Sequence, residues 1–166
     1  VHKRADQWGP FKLQRMDELP EGKKLKFKRN ALWKGKDVES FHLPAVLKFG
    51  NQVRVGRLTK KEFKMDDWLE FLGYYLSEGS VQRKNGVPYR VHITQTKSQE
   101  NIEKIGACIA RLGYEVRYVG HSYAISEKQL AAYLAPLGKC YEKHIPREFL
   151  ELSSRQLLIL FDALML

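Results

Sequence analysis

The sequence predicts an α+β fold with antiparallel hairpins, preceded by a small and mostly β segment. From residue 66, helix-like and strand-like apolar patterns alternate in the order α, ββ, α, ββ, α, α, which is typical of hairpins packed against helices. Residues 1–64 show only short strand patterns and turn signals. We therefore divide the chain into a basic, β-rich segment at 1–64 and an α+β domain at 65–166.

The first segment contains three predicted strands. Residues 24–28 alternate strictly between lysine and apolar side chains, which predicts one lysine-bearing face and one apolar face. Residues 41–49 and 53–58 are the other two candidates. The segment has too few apolar residues to bury a core of its own, so we expect it to dock on something else.

The domain opens with a helix that is predicted to end at Gly79. Asp66 or Asp67 is expected to cap its start, and Glu70 is placed to complete a capping box with Asp67. The helix then runs to about Glu78.

Three residues of this helix are unusual. Gly73 lies in the interior, where glycine costs roughly 1 kcal/mol relative to alanine, and Ser77 follows it on the same face. Two small residues spaced in this way allow a second helix to approach closely. Glu78 lies in the last turn, where the helix dipole disfavours a carboxylate by roughly 0.3–1 kcal/mol, which indicates a bound cation. Taken singly, Gly73 is also explained by ordinary packing and Glu78 by solvation.

A hairpin follows this helix. Asn85 and Gly86 are a strong signal for a two-residue type I′ turn. That turn pairs Gln82 with Tyr89 across the two strands. Pro88 cannot donate a hydrogen bond to the strand ladder, so it predicts an edge position or a bulge.

Strand alternation predicts one polar and one apolar face for this hairpin. The apolar face can pack on helices while the polar face is presented to a partner. The apolar face is expected to carry Tyr89, Val91 and Ile93. The polar face is expected to carry Arg83, Arg90, His92 and Thr94, with Val81 beside them.

Capping and turn residues mark where the remaining elements begin and end. They predict a second helix at 99–112, a second hairpin that joins 114–119 to 123–126, a third helix, and a last apolar helix. The boundary residues are Ser98 and Gly113 for the second helix, Gly120 and His121 for the hairpin turn, Ser126 and Gly138 for the third helix, and Ser153 for the last.

The net charge is +10, from 29 Lys+Arg against 19 Asp+Glu. A surplus this large indicates a polyanionic partner, most often nucleic acid, the alternative being a solvated basic surface. Residues 1–65 hold 17 Lys+Arg and 7 Asp+Glu, so the whole surplus lies there. We expect its lysine face to extend a nucleic-acid footprint: Lys24, Lys26 and Lys28. Residues 79–97 form a further basic patch without an acid: Arg83, Lys84, Arg90 and Lys97.

The sequence predicts an intracellular protein. No apolar run reaches the length of a membrane span, and the first residues do not lead into a signal peptide. The two cysteines, Cys108 and Cys140, form no Cys-x-x-Cys pair, so neither a disulfide framework nor a zinc site is expected. We expect the cytoplasm or another compartment that contains DNA.

Residues 71–79 read Phe-Leu-Gly-Tyr-Tyr-Leu-Ser-Glu-Gly. This stretch resembles the motif of the LAGLIDADG homing endonucleases, with Gly73, Glu78 and Gly79 on the family's small, acidic and terminal glycine positions. The order αββαββα that begins here is similar to one half of that fold, in which antiparallel hairpins form a DNA-binding saddle. The resemblance covers residues 66–166, and the topology that follows the short motif makes it more specific.

The end of the chain resembles the approach to a second copy of the motif. Residues 145–149 and the helix after Ser153 fit that pattern, although Asp162 stands on the position of the interior small residue. The family's Gly-Asp-Gly would follow Leu166, so residues 1–166 are expected to hold only one of the two acids. Residues 1–60 are similar in style to part of an intein splicing domain. Without an N-terminal Cys or Ser and a terminal His-Asn, the chain is not expected to splice itself.

The resemblance implies a metal-dependent endonuclease that acts on double-stranded DNA. In the family, two motif helices pack side by side, here through Gly73 and Ser77, and each delivers a carboxylate that holds a divalent ion, usually Mg²⁺. Glu78 would be the catalytic acid and metal ligand of this half. The second half would be a C-terminal continuation or the partner in a homodimer. The residues implied to contact DNA are Arg83, Lys84, Arg90, His92, Lys97, Arg117 and His121.

Two alternatives remain open. One is a DNA-binding module that never cuts, such as a regulator or a degenerate endonuclease with the same saddle. The other is a structural fragment of a splicing domain, which leaves the one-sided charge of the hairpin unexplained. His92 is explained equally well by a base contact and by a strand histidine with satisfied hydrogen bonds.

Overall fold

The structure is a computed structural model that describes residues 33–45 and 61–166 together with Leu19. The chain divides into two compact units, Val1–Trp33 and Lys34–Leu166, and the described residues lie almost entirely in the second. The strands predicted at 24–28 and 53–58 lie outside the described residues, as does the end of the strand predicted at 41–49.

The described part of the second unit is an α+β fold with two antiparallel sheets and four α-helices. From the first helix onward, the elements follow the predicted order, whereas strand β2 was not predicted. None of the described helices is long and apolar enough to cross a membrane. The elements are β1 (Ser40–Leu43), β2 (Lys61–Lys64), α1 (Met65–Glu78), β3 (Gly79–Lys84), β4 (Val87–Thr94), α2 (Gln99–Arg111), β5 (Tyr118–Val119), β6 (Ser122–Ile125), α3 (Lys128–Leu134) and α4 (Ser154–Leu164), with 3₁₀ turns at Ala135–Leu137 and Arg147–Glu151.

The larger sheet consists of two hairpins side by side, in the order β3-β4-β6-β5. Both turns have the left-handed backbone that a type I′ turn needs. Asn85 and Gly86 have φ angles of 52° and 78°, and Gly120 and His121 have φ angles of 53° and 75°. Both hairpins therefore turn where the sequence predicts.

Helix α1 lies at the centre of the core. Its buried residues cover most of its circumference, so it is packed on several sides rather than along one stripe. Trp68 is fully buried, and its ring stacks on Phe41 of β1 at a centroid distance of 4.1 Å. Val91 and Ile93, on the inner face of the larger sheet, belong to the same core. The sheets and helix α2 thus enclose the sides of α1 that α4 does not cover.

Helix α4 packs against α1 at Gly73. A Cβ atom at Gly73 would lie 2.6 Å from Ala163 Cβ and 2.7 Å from the Leu160 carbonyl oxygen, so this approach requires glycine. Ser77 is half-buried, and its hydroxyl donates to the Gly73 carbonyl at 3.3 Å. The prediction that Asp162 takes the interior small position of α4 is wrong, because Asp162 is exposed and Ala163 faces Gly73. One step along a helix turns the side chain by about 100°, which accounts for the difference.

The start of α1 also differs from the prediction. Strand β2 leads directly into the helix, which has no side-chain cap. Arg155 donates to Asp66 at 2.5 Å, and Arg111 donates to Asp67 at 2.6 Å. Glu70 accepts from Arg111 rather than from the backbone. The acids of the first turn therefore bind arginines of distant helices, and the predicted capping box is not formed.

The two predicted serine caps are confirmed, whereas Ser126, predicted to start the third helix, is not its cap. Ser98 caps α2 and Ser153 caps α4. Helix α3 instead has Glu127 as its cap, and Glu127 accepts from the Gln129 N–H at 3.3 Å. The Ser126 hydroxyl is used elsewhere, as described for the sheet below.

The segment that precedes β1 is fastened to the start of α4. Lys36 forms a parallel bridge with Leu152. The buried Gln156 side chain accepts from the Val38 N–H at 3.0 Å and donates to the Val38 carbonyl at 2.7 Å. The same Nε2 also donates to Asp66 of α1 at 2.9 Å. One amide thus joins this segment to both helices.

Candidate nucleic-acid interface and catalytic acid

The outer face of the larger sheet is the side that turns away from the core. Residues paired across two strands share a face, so the register defines it: His92 pairs with Ser80 on one side and with Ala124 on the other. None of the residues on this face is acidic. The outer face comprises Ser80, Gln82, Arg90, His92, Thr94, Arg117, Val119, Ser122 and Ala124.

A β-bulge changes the predicted register of the first hairpin. Arg83 pairs with Pro88 and Gln82 with Arg90, which leaves Tyr89 as the extra residue. The predicted pairing of Gln82 with Tyr89 is therefore wrong. The bulge that Pro88 predicted is confirmed.

Two predicted members of the polar face lie on the opposite side. Val81 pairs with Val91 and packs against the core. Arg83 follows two residues later in the same strand and falls on the same side as Val81. It is exposed, and its Nη1 donates to the Gly86 carbonyl at 3.1 Å. Arg83 therefore belongs with Lys84 to the tip of the hairpin rather than to the outer face.

A hydrogen-bonded group spans the outer face. The Tyr89 hydroxyl donates to Gln82 Oε1 at 2.8 Å, and His92 Nε2 lies 3.2 Å from the same oxygen. Tyr89 was predicted on the apolar face, but the bulge brings its hydroxyl to Gln82. Arg90 donates from Nε to Ser126 Oγ at 2.9 Å, and its guanidinium lies 5.3 Å from the Tyr89 ring centroid. These contacts connect the side chains of the face to one another.

His92 belongs to this group through its contact with Gln82. Burial, together with the neighbouring charge of Arg90, lowers the pKa of His92 below its ordinary value. The amide oxygen of Gln82 can only accept, so this contact is a hydrogen bond when His92 Nε2 carries a proton. His92 thus has a hydrogen-bond partner and also lies on the outer face.

Glu78 lies at the edge of the outer face, in an open cleft of about 180 Å³. The cleft is also lined by Thr94, which belongs to the outer face, so the two surfaces are continuous. Lys97 and Leu166 line it as well. The structure therefore brings the predicted acid, one predicted DNA-contacting lysine and the end of α4 into one place.

Lys143 is a functional candidate that the sequence patterns did not reveal. Its ammonium group donates to the carbonyls of Gly79 at 2.6 Å, Tyr75 at 2.7 Å and Leu76 at 3.3 Å. These are carbonyls at the C-terminal end of α1, where a cation is favourable. Burial lowers the pKa of Lys143 below its ordinary value, and the negative charge of Glu78 opposes that shift. Lys143 thus fixes the end of the helix that carries the acid.

Arg117, the residue before β5, lies beside Ala124 of β6, whose N–H donates to the Arg117 carbonyl at 3.0 Å. It therefore continues the row of Ser80, His92 and Ala124 across the outer face. Arg117 is exposed and pairs with Glu115 at 3.2 Å. His121 is exposed in the second turn. The structure thus distributes the predicted DNA contacts over three places: Arg90, His92 and Arg117 on the outer face, Lys97 beside Glu78, and Arg83, Lys84 and His121 around the hairpin tips.

The cleft fits one ligand of a hard metal ion. Within residues 33–45 and 61–166, no group of three or more His, Cys, Asp or Glu side chains could hold a metal. Glu78 is the carboxylate in the cleft lining, and the neighbouring Gly79 carbonyl already accepts from Lys143. Mg²⁺ is commonly bound through one or two carboxylates, several waters and substrate phosphates. Glu78 suits that pattern, and this part of the chain adds no second carboxylate to the cleft.

No protein-family model matches the chain. The chain is similar to an ATP-dependent Clp protease proteolytic subunit of Chlamydomonas moewusii, with 29% identity over 156 residues that make up 87% of this chain and 15% of that protein. It is also similar to a DNA-directed RNA polymerase subunit beta C-terminal section of Stigeoclonium helveticum, with 30% identity over 158 residues that make up 86% of this chain and 14% of that protein. The chain thus spans about one seventh of the length of these relatives.

Proposed function

We propose that the chain is one half of an intein-type LAGLIDADG homing endonuclease, which binds a specific double-stranded DNA site and hydrolyses its phosphodiester bonds with Mg²⁺ or another divalent ion. One observation carries the proposal. Helix α1 packs on α4 at a distance that requires Gly73, and its last residue, Glu78, lies in a cleft continuous with an acid-free sheet face. This helix pair and sheet provide what a DNA-cutting saddle needs from each of its halves.

The charges of the sheet support DNA as the partner. Arg90 and Arg117 lie on the outer face, Lys97 lies beside the cleft, and Arg83 lies near a hairpin tip. Cationic side chains at the tips and edges of a saddle can contact phosphates, which supply most of the affinity for DNA. The polar side chains between them are then left to meet the base edges in the major groove.

The comparisons support an element that is independent of its host protein. A protease subunit and an RNA polymerase subunit are named for unrelated activities, yet both contain a stretch similar to this chain. In each of them the stretch is a small part of the whole. An inserted, intein-type endonuclease would have this distribution.

In this proposal Glu78 is a metal ligand at the scissile phosphate. The bound ion would activate a water molecule and stabilise the leaving oxygen. Lys143 is a positioning residue, because its three hydrogen bonds fix the last turn of α1 and therefore the origin of the Glu78 side chain. Lys97 brings a positive charge to the same cleft and would reduce the repulsion between Glu78 and an entering phosphate.

Cutting would also require a second acid from a second half. Helix α4 exposes an apolar stripe of the kind that a further packed layer covers, formed by Leu158, Phe161 and Met165. Residues that follow Leu166 in a longer polypeptide would start in the cleft beside Glu78. Because α4 already occupies the Gly73 face of α1, a continuation of the chain accounts for the second half better than a homodimer does.

A DNA-binding module that does not cut is the second candidate. The described residues offer a single carboxylate in the cleft, which is enough for a saddle that binds but not for a paired metal site. Metal-dependent nicking distinguishes the two functions, because only the endonuclease produces it.

Binding is tested first with residues 1–166 and a mixed-sequence duplex. The affinity should fall by at least about tenfold between 50 and 200 mM salt, since bound cations are released from DNA phosphates. The double variant Arg83→Ala and Arg90→Ala should bind more weakly and show a shallower salt dependence. Lys104→Ala is the matched control, because Lys104 is exposed on α2 and pairs with Glu100. Salt-independent binding, or no binding at low salt, would reject the saddle.

Cleavage is tested with the same chain and with a longer polypeptide that supplies a second acid. Residues 1–166 are expected to bind without cutting at any concentration. In the longer protein, Glu78→Gln should reduce Mg²⁺-dependent cleavage by at least about 100-fold, as expected for an electrostatic group at a reacting centre, while binding is preserved. Cutting by residues 1–166 alone would instead establish the homodimer, and unchanged cutting by the Glu78→Gln protein would remove Glu78 from the site.

A further inference from the structure

Gln82 occupies the centre of the hydrogen-bonded group on the outer face. It is exposed on the edge strand β3, and its Oε1 receives the Tyr89 hydroxyl at 2.8 Å and faces His92 Nε2 at 3.2 Å. Tyr89 reaches this position because it is the extra residue of the bulge, while His92 is a diagonal neighbour on the adjacent strand. Two side chains therefore converge on one oxygen atom.

In the structure, the Gln82 amide turns its oxygen toward these two side chains. A carbonyl oxygen has two lone pairs, and both are directed to donors here. The amide nitrogen carries two N–H groups, and no acceptor for them is found among residues 33–45 and 61–166. With its oxygen committed to the protein, Gln82 presents only donors to a partner above the sheet.

Arg90 also uses part of its side chain for contacts within the protein. It pairs with Gln82 across the strands, its Nε donates to Ser126, and its guanidinium lies over the Tyr89 ring. The two terminal nitrogens of the guanidinium remain available. Two adjacent side chains thus offer hydrogen-bond donors, and neither offers an acceptor.

We infer that Gln82 is a base-reading residue that Tyr89 and His92 hold as a donor, so that the outer face selects guanine where Gln82 meets the major groove. This inference rests on the proposed function, because it assumes that the outer face lies against DNA. Tyr89 is then a positioning residue for specificity, since it acts on DNA only through Gln82.

The preference follows from the base edges in the major groove. Guanine presents two acceptors, N7 and O6, side by side, and thymine presents one, O4. Adenine places the N6 donor next to its N7 acceptor, and cytosine presents the N4 donor. A glutamine usually reads adenine by using its oxygen and its nitrogen together. Gln82 cannot do so while its oxygen is held, so guanine is preferred, followed by thymine.

The test is selection of bound duplexes from a randomised library by residues 1–166 and by three variants. In the wild-type chain, the position read by Gln82 should favour guanine over adenine by about fivefold or more, the lower end expected for a specific base contact. That position is identified as the one whose preference moves to cytosine in Gln82→Glu, because a carboxylate only accepts.

Tyr89→Phe provides the decisive measurement. It removes one donor from Gln82 Oε1, frees the amide to use both atoms, and should raise adenine at that position by about fivefold. Tyr133→Phe is the matched control, because it removes a tyrosine hydroxyl that contacts Glu148, and it should leave the base preference unchanged. Circular dichroism of all three variants establishes that they fold.

The outcomes separate this inference from the proposed function. Salt-dependent binding combined with an adenine preference in the wild-type chain overturns the inference alone. The same conclusion holds if Tyr89→Phe leaves the preference unchanged, or if Gln82→Glu moves no position. Absence of binding to every duplex rejects the proposed function, and the inference with it.

Discussion

Helices α1 and α4 pack against each other, yet their surroundings differ. Helix α1 is covered on nearly every side, with Trp68 and Phe71 fully buried. Helix α4 buries Leu160 and Ala163 toward α1, but the opposite side is open. There it exposes an apolar stripe: Leu158 at 57%, Phe161 at 53% and Met165 at 68%. Within residues 33–45 and 61–166, the layer around α1 is thus complete and one side of α4 is open, the place of the second half in the proposed function.

The largest difference should appear when one aromatic residue is removed from each helix. Trp68→Ala should destabilise the chain by about 3–5 kcal/mol, because it empties a packed site in the core. Phe161→Ala should change the free energy of unfolding by less than about 0.5 kcal/mol, because the ring is already in water. Urea denaturation of both variants measures the contrast. Similar losses would mean that the outer side of α4 is covered in residues 1–166 after all.

The contact between α1 and α4 at Gly73 and Ala163 should show the next largest effect on stability. Gly73→Val should cost about 2–3 kcal/mol, because its side chain would collide with Ala163 Cβ and the Leu160 carbonyl. The milder Gly73→Ala should be partly rescued by Ala163→Gly, which removes the contact between the two Cβ atoms. Additive losses in this pair, measured by denaturation, would show that the residues do not face each other.

Substitution at the C-terminal end of α1 should destabilise the chain less than substitution at the contact between Gly73 and Ala163. Lys143→Met should cost about 1–2 kcal/mol, since the three carbonyls that it serves lose a charged donor. Hydrogen exchange should become faster at residues 76–79, where the last turn of α1 loses its support. Lys139→Met is the control in the same linker, because the Lys139 side chain is exposed. An equal loss in both variants would remove the special role of Lys143.

The smallest effect should be a loss of stability at low pH, caused by two carboxyl groups near the starts of α1 and α4. The hydrogen bond from Arg155 lowers the pKa of Asp66 below its ordinary value of 3.8, and the hydroxyl of Ser153 does the same for Asp37. A carboxyl whose folded pKa is depressed stabilises the fold above its unfolded pKa and loses that effect as the pH falls. The urea concentration at the midpoint of unfolding should therefore decrease when the pH is lowered below about 4. The variant Arg155→Gln should show a weaker dependence of this midpoint on pH. An unchanged slope in the variant would assign the acid sensitivity to other groups.

Local patterns in the sequence predicted the elements whose causes are local. Asn85 and Gly86 make a type I′ turn from their own backbone preferences, and Ser98 and Ser153 cap helices through N–H groups a few residues away. The fold class follows because these signals give the order of helices and hairpins.

The differences between prediction and structure arise where distant residues compete. Asp66 has a good capping residue type, but Arg155 donates to it across 89 residues of sequence. Ser126 was predicted to start α3, but its hydroxyl accepts from Arg90 of the sheet, and Glu127 caps the helix. Alternation placed Arg83 on the polar face, but the strand pairs Val81 with Val91 of the core. Only the assembled fold decides which partner such a group takes.

The candidate site also contains features that could be predicted from local sequence and features that depend on distant residues. Glu78 could be selected from the sequence because a carboxylate at the end of a helix is unusual. Lys143 could not, because a lysine in a linker is common and its acceptor Gly79 lies 64 residues away. The orientation of Gln82 depends on a bulge, which Pro88 indicated, and on a register that a single extra residue decides.

The attachment of Gln156 to Val38 has a mechanical consequence. One amide holds both backbone groups of Val38 and also reaches Asp66, while Lys36 bridges to Leu152 beside it. A mechanical force applied to the chain at residue 34 would therefore act on the first turns of α4 and α1 before it acted on any strand of the larger sheet. Tension would act where the starts of the two helices are tied together through Gln156 and Asp66, while the larger sheet carried no load.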